Sequence, residues 1–346
     1  LASMLEGGVA GTVNMRSARP FDYGGGRQIT YSLQGGYNNQ SEKFSPRGSL
    51  TASQTWETGR GEFGVLLGVA GARNKSLTTG FETIGWTNAN LACTGCNTNG
   101  GNGFNFAATV PAGVPGNGLV PGAPLTNDTL AALNPGTTLV QLSDALLPRL
   151  GRPSWSAGNR DRLSGLISLE YRPSETMNFY FDALGGIAER KFDRLDMNWV
   201  VRNSNFMVPT NVKVDANNVA TSGTFLNSQF FLEARPYDED VKFFSLNPGM
   251  GWQIRDWVRL DAQLNMSKSQ FFREAPTILI NTPLGTGLTV TYDTAGGEFP
   301  SITANRDLND PNLGWVWAGG RVNIQNERRV TKTKGAHADL TFGDEA

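Results

Sequence analysis

The stretch VRLDAQLNMS, residues 258–267, carries the clearest strand signal in the chain. Val258, Leu260, Ala262, Leu264 and Met266 fall on one side of an extended backbone. Arg259, Asp261, Gln263, Asn265 and Ser267 fall on the other, because successive side chains of a strand point to opposite faces. The pattern separates an apolar face from a polar one. Taken alone it leaves open whether the apolar face meets a protein core or a bilayer.

Working outward, the same period-two alternation recurs. In RQITYSLQGGYNN (27–39), Ile29, Tyr31, Leu33 and Tyr37 oppose Thr30, Ser32, Gln34 and Asn38. EFGVLLGVAGA (62–72), DRLSGLISLEYR (161–172) and MNFYFDALGGIA (177–188) repeat it, with weaker versions over 47–56, 241–254 and 328–342. Eight strands are predicted, several of ten residues or more, whereas globular strands usually stop at about five or six. After a modest first connection, 39–46, the links alternate between short ones (57–61, 173–176, 255–257) and long ones (76–159, 191–240, 272–327). A structureless link of about eighty residues does not suit a compact soluble domain. A transmembrane barrel has this asymmetry by construction, with tight turns at one rim and long loops at the other. Trp56, Tyr171, Trp252 and Trp257 lie beside the short links, where an interfacial aromatic girdle belongs. The expected fold is therefore all-β: a transmembrane antiparallel β-barrel, with apolar faces to lipid and polar faces to the lumen. A soluble β-sandwich or β-helix is the alternative, and it calls for shorter strands and no one-sided loop bias.

Composition excludes other classes. The 30 basic and 31 acidic residues nearly cancel, and no Lys/Arg block occurs, so no nucleic-acid partner is expected. No segment approaches the ~20 apolar residues of a membrane helix, which leaves strand-based spanning untouched. Cys93 and Cys96, in CTGC, are the two cysteines. They are too few for a four-sulfur zinc site and have no histidine nearby. They read as a local disulfide across a loop, or else as two free thiols.

Near the start stands LEGGVAGTVNMRSARPFD, residues 5–22. Glycines permit tight turning, and Pro20 ends the strand because it cannot donate to a ladder. Glu6, Gly7, Gly8, Gly11, Thr12, Val13, Arg16, Arg19 and Pro20 resemble the end of the plug of TonB-dependent outer-membrane receptors. A first barrel strand follows from Arg27, and the long loops together with VTKTKGAHADLTFGDEA (330–346) resemble the Xanthomonas/Caulobacter-type subfamily. The resemblance implies a bacterial outer-membrane location and a plugged barrel of roughly 22 strands. On that basis residues 1–22 are the C-terminal end of the plug, with Gly7, Gly8, Gly11, Arg16, Arg19 and Pro20 at the plug–barrel junction. Residues 23–346 are the N-terminal part of the barrel. The chain then reads as a partial receptor of eight strands, with an intact eight-stranded barrel as the rival. Implied partners are the TonB–ExbB–ExbD energy-transducing complex, reached through a plug N-terminus absent here, and the bilayer with its lipopolysaccharide.

No enzyme is expected. The lone His337 lies two residues before Asp339 on a polar strand face, and no nucleophile signature accompanies it. Charges assigned to the lumen are Arg162, Glu170, Arg172, Asp182, Arg259, Asp261 and Asp339, a mixed set suited to holding a polar plug. Loop residues Trp86, Trp155, Trp199, Trp315 and Trp317, with Asp307, are the candidate substrate-binding set. Tryptophan among amides and carboxylates stacks on sugar rings, although it also orders loops by packing. RDLNDPN (306–312) offers carboxylates to a Ca²⁺ ion or forms an Asx turn; no other cofactor is expected. The expected function is TonB-dependent import of a scarce solute, a carbohydrate or oligosaccharide. The alternatives are a ferric siderophore or other metal chelate as cargo, or a passive porin or adhesin.

Overall fold

The computed structural model describes residues 17–97, 99–114 and 116–343. One antiparallel sheet dominates it. Its path runs through β1 (Arg27–Asn38), β2 (Lys43–Thr58), β3 (Gly61–Thr83), β4 (Leu150–Ser174), β5 (Met177–Val200), β6 (Phe230–Arg255), β7 (Val258–Glu274) and β8 (Asn326–Phe342). Each strand pairs with its neighbours in sequence, so the wall is a simple meander. Two-residue turns at 59–60, 175–176 and 256–257 close one rim. Two further strands, Thr277–Asn281 and Val316–Asn323, extend the sheet beside β6 at the opposite rim. Among the described residues β1 pairs with β2 alone and β8 with β7 alone, so the sheet is open and does not close into a barrel.

Strand register turns the sequence alternation into continuous surfaces. Ile29, Ala52, Leu67, Ile167, Ala183, Leu246 and Met266 stand directly side by side across seven strands. No element among the described residues covers this row: Leu67 and Ile167 remain 52% and 47% exposed. Nearer the short turns a second row is aromatic, running Trp56, Phe63, Tyr171 and Phe179. Trp56 stacks on Phe63 with ring centroids 5.9 Å apart.

The strands reach well past the predicted ends. Connections expected at 76–159, 191–240 and 272–327 shrink to 84–149, 201–229 and 275–325. Beyond the apolar band both strand faces carry charges, so period-two hydropathy disappears although the backbone ladder continues. Ion pairs across the strands replace apolar contact there. Glu82 bridges Arg152 (3.3 Å) and Arg194 (2.9 Å), Arg190 pairs with Glu239 (3.2 Å), and Arg273 with Glu327 (2.6 Å).

The remaining connections build one cap rather than separate loops. A four-stranded sheet orders Ser301–Ala304, Val290–Asp293, Ala220–Leu226 and Val208–Val214, and so joins the second and third long connections. The first long connection supplies α1 (Asn127–Leu133) and α2 (Leu139–Asp144). Both start where the sequence provides a cap. Thr126 Oγ1 accepts from Thr129 N, and Thr138 with Gln141 forms a reciprocal capping box. The cap core holds Phe104, Phe106, Leu142, Val212, Phe225 and Tyr292 around Trp199, which is fully buried. Trp199 lies 5.1 Å from Phe225 and 5.7 Å from Tyr292 between ring centroids, and its Nε1 donates to Ser228 Oγ at 3.3 Å.

Deleting that indole tests whether the cap is one packed unit. Trp199→Ala is expected to cost the cap about 3–5 kcal/mol. Near-UV circular dichroism should lose aromatic signal, and limited proteolysis should open residues 84–149 while the wall strands stay protected. Unchanged cleavage across the cap would contradict the packing described.

Candidate functional site

Residues 19–23 rest on the polar face of the wall, and residues 24–26 lead from there into β1. Pro20–Tyr23 form a single 3-10 turn, whose start is closed by Arg19 N donating to Asp22 Oδ2 (2.9 Å). Gly24, Gly25 and Gly26 follow with φ of +76°, +90° and +70°, a run of left-handed residues that only glycine adopts freely. They swing the chain into β1, and Gly26 N donates to Thr55 Oγ1 of the neighbouring β2 at 2.6 Å.

The turn is anchored by charge. Arg19 Nε and Nη2 donate to Asp182 Oδ2 at 3.1 and 3.0 Å, and Ser168 Oγ donates to the other oxygen, Oδ1, at 2.5 Å. The Arg19 guanidinium also lies over the Tyr180 ring, 3.4 Å from its centroid. Phe21 N donates to Glu170 Oε2 (2.9 Å), Asn178 Nδ2 donates to Glu170 Oε1 (3.3 Å), and Arg172 covers the Phe21 ring at 4.1 Å. Asp182 and Glu170 are each 4% exposed, and both have every oxygen engaged. Burying a carboxylate costs several kcal/mol unless it is paired, so this arrangement holds the segment in one place. Shape adds to charge. Pro20 is buried, and a Cβ at Gly64 would stand 2.5 Å from Pro20 Cβ, so only glycine admits the ring so close to β3.

Of the expected junction residues, Arg19 and Pro20 are thus docked on the polar face; Gly7, Gly8, Gly11 and Arg16 lie outside the described residues. Glu170, Arg172 and Asp182 belong to the docking site. Arg162 stands on the same face further from the turns, Arg259 pairs with Asp261 (2.8 Å), and His337 Nε2 lies 4.0 Å from Asp339 Oδ2.

The substrate-binding set is not brought together. Trp199 is core rather than surface, because its ring fills the space between two cap strands. Trp86, Trp155 and Trp317 are exposed and Trp315 half-buried, and no ring pair among the described residues joins any two of them. Asp307 is spent on an Asx turn, its Oδ1 accepting from Asn309 N at 2.9 Å. No group of three His, Cys, Asp or Glu able to hold a metal occurs among the described residues. Cys93 and Cys96 form a disulfide within the cap.

Sequence reading missed Ser168, Tyr180 and Gly64. Ser168 faces Asp182 in register across the 175–176 turn, so counting back from that turn would have paired them. No family model matches the chain, and no curated protein or solved structure matches it.

Two outcomes check the site and its surroundings. In a double-mutant cycle, Arg19→Ala and Asp182→Ala should couple by about 1–3 kcal/mol in unfolding free energy. Additive effects would mean that the pair does not hold the turn. Higher on the wall, burial pushes the Glu82 carboxyl up, but hydrogen bonds and charge from Arg194 and Arg152 outweigh it and hold the group below the usual carboxylate range. A lowered folded pKa gives stability that is present above the ordinary carboxylate value and lost as pH falls through the folded one. Glu82→Gln should therefore unfold at a lower temperature than the parent at neutral pH and converge with it in strong acid. A gap that widens on acidification would contradict this.

Proposed function

We propose that the eight-stranded meander is wall from a plugged outer-membrane β-barrel, and that the protein is a TonB-dependent importer of a scarce solute. One observation carries the reading: the N-terminal segment is seated on the polar face, while the apolar face stays bare. A soluble sandwich would do the reverse, burying Leu67, Ile167 and their row against another layer and leaving Asp182 to water. Monomeric soluble proteins rarely expose contiguous apolar patches above a few hundred Å².

The dimensions agree. A strand crosses a bilayer in about 9–11 tilted residues. The apolar alternation occupies roughly that length beside the short turns, as between Phe63 and Gly71 of β3. Aromatic rings mark its turn-side boundary, as interfacial girdles do. The free edges of β1 and β8 call for additional strands, since open edges do not persist in lipid. On this reading residues 17–23 end a plug held by Arg19–Asp182 and Phe21–Glu170, and pulling on the plug must break those contacts first. The cap is the capture surface. Exposed Trp86 within it, with Trp155 on wall strand β4 and Trp317 on the strand that extends the sheet, suits a carbohydrate, with a ferric chelate as the competing cargo.

Placing a charge in the apolar row tests the environment. Leu67→Arg should cost about 2–4 kcal/mol of folding stability in bilayers. Unaltered stability would mean that Leu67 does not face lipid. Transport is tested by uptake of a labelled oligosaccharide and a labelled ferric chelate in cells with and without TonB. Uptake of either that needs TonB supports an importer, and equal uptake without TonB would make it a passive pore.

A further inference from the structure

Three arginines on the polar face have no carboxylate partner among the described residues: Arg47, Arg160 and Arg162. The reason is strand parity. Asp161, the acid between Arg160 and Arg162, points to the opposite face, where Arg73 takes it at 2.6 Å. The polar face is left with uncompensated positive charge beyond the docked turn.

Two of these guanidiniums share one site. Arg47 of β2 and Arg162 of β4 both stand opposite Ala72 of β3, in a single row. Strands lie about 4.8 Å apart, so the two Cα atoms are roughly 10 Å apart, a span that two long side chains can close on one ligand. Between them lies a groove of about 400 Å³ on the polar face, floored by Ala70 and Ala72. Ser32, Ser49 and Ser164 line it with hydroxyls, and Arg47 Nε is oriented by Gln34 Oε1 at 2.7 Å, leaving its terminal nitrogens free. Small side chains between two arginines make a basin rather than a packed wall.

We propose that Arg47 and Arg162 form an oxyanion subsite for a phosphate or sulfate group on the solute carried along this wall. A guanidinium presents paired N–H donors matched to the oxygens of a tetrahedral anion, and the serine hydroxyls complete the shell. This deepens the import reading and rests on it for the path the solute takes: a carbohydrate cargo is then an anionic one. Binding itself depends only on the groove.

The test uses the full chain in detergent micelles, titrated with inorganic phosphate, inorganic sulfate and neutral maltotriose by isothermal calorimetry. Phosphate or sulfate should bind, and binding should weaken about tenfold in Arg162→Gln and again in Arg47→Gln, with Arg162→Lys falling between. Arg328→Gln, on the opposite face of β8, should leave it unchanged. Both groove arginines lack ion pairs among the described residues, so Arg47→Gln gives up only the bond to Gln34 Oε1 and neither change breaks a salt bridge; far-UV circular dichroism of each variant checks its fold. Absence of anion binding, or binding indifferent to both groove variants, overturns the subsite. Two outcomes separate the readings. Anion binding lost in Arg162→Gln, with no TonB-dependent uptake, upholds the groove and removes the importer. TonB-dependent uptake of a neutral solute that Arg162→Gln leaves unchanged upholds the importer and removes the groove.

Discussion

Asp182 is a carboxylate with almost no access to solvent, standing in the middle of a sheet face that carries no hydrophobic core. Its charge is balanced by Arg19, its second oxygen is filled by Ser168, and Arg19 is in turn spread over Tyr180. Everything else about the wall follows from which face receives that contact. With residues 19–23 seated on the polar side, no described element packs on the apolar side. On the proposed reading, lipid tails cover its row of aliphatic side chains and the interface receives the aromatic row beside the turns.

Division of labour along each strand is the second consequence. The turn-side part alternates apolar and polar, and it carries the docking site. The far part is charged on both faces and is held by backbone pairing and by ion pairs such as Glu82–Arg194 and Arg273–Glu327. Exposed pairs of this kind contribute little singly, and they matter here as a linked set beneath the cap. The cap itself is an ordinary hydrophobic core built around Trp199, stable for the same reasons as any small globular unit.

Where the sequence was legible, one physical signal dominated. Period-two alternation located all eight wall strands and their short turns, because one face of each strand is mostly apolar there, with polar interruptions such as Gln54 and Lys334 where the signal was weaker. The signal stopped where both faces became charged, which is why β6 was read from 241 although it begins at Phe230. The cap was invisible for a different reason. Its core unites residues far apart in the chain, such as Phe104, Trp199 and Tyr292, and no local pattern announces their contact. The same limit misplaced Trp199 on a binding surface. In the docking site Arg19, Pro20, Glu170, Arg172 and Asp182 were singled out, but their mutual pairing depends on register and on the close approach at Gly64.

The assignment of the two faces can be measured along the strand that opened the sequence reading. Single cysteines at each position from 258 to 267, carrying an environment-sensitive fluorophore, would be reconstituted in bilayers containing brominated lipids. Quenching is expected at 260, 262, 264 and 266, with water-like emission at 259, 261, 263 and 265. Uniform water-like emission along the strand, or quenching at the odd positions, would contradict the proposed orientation of the wall.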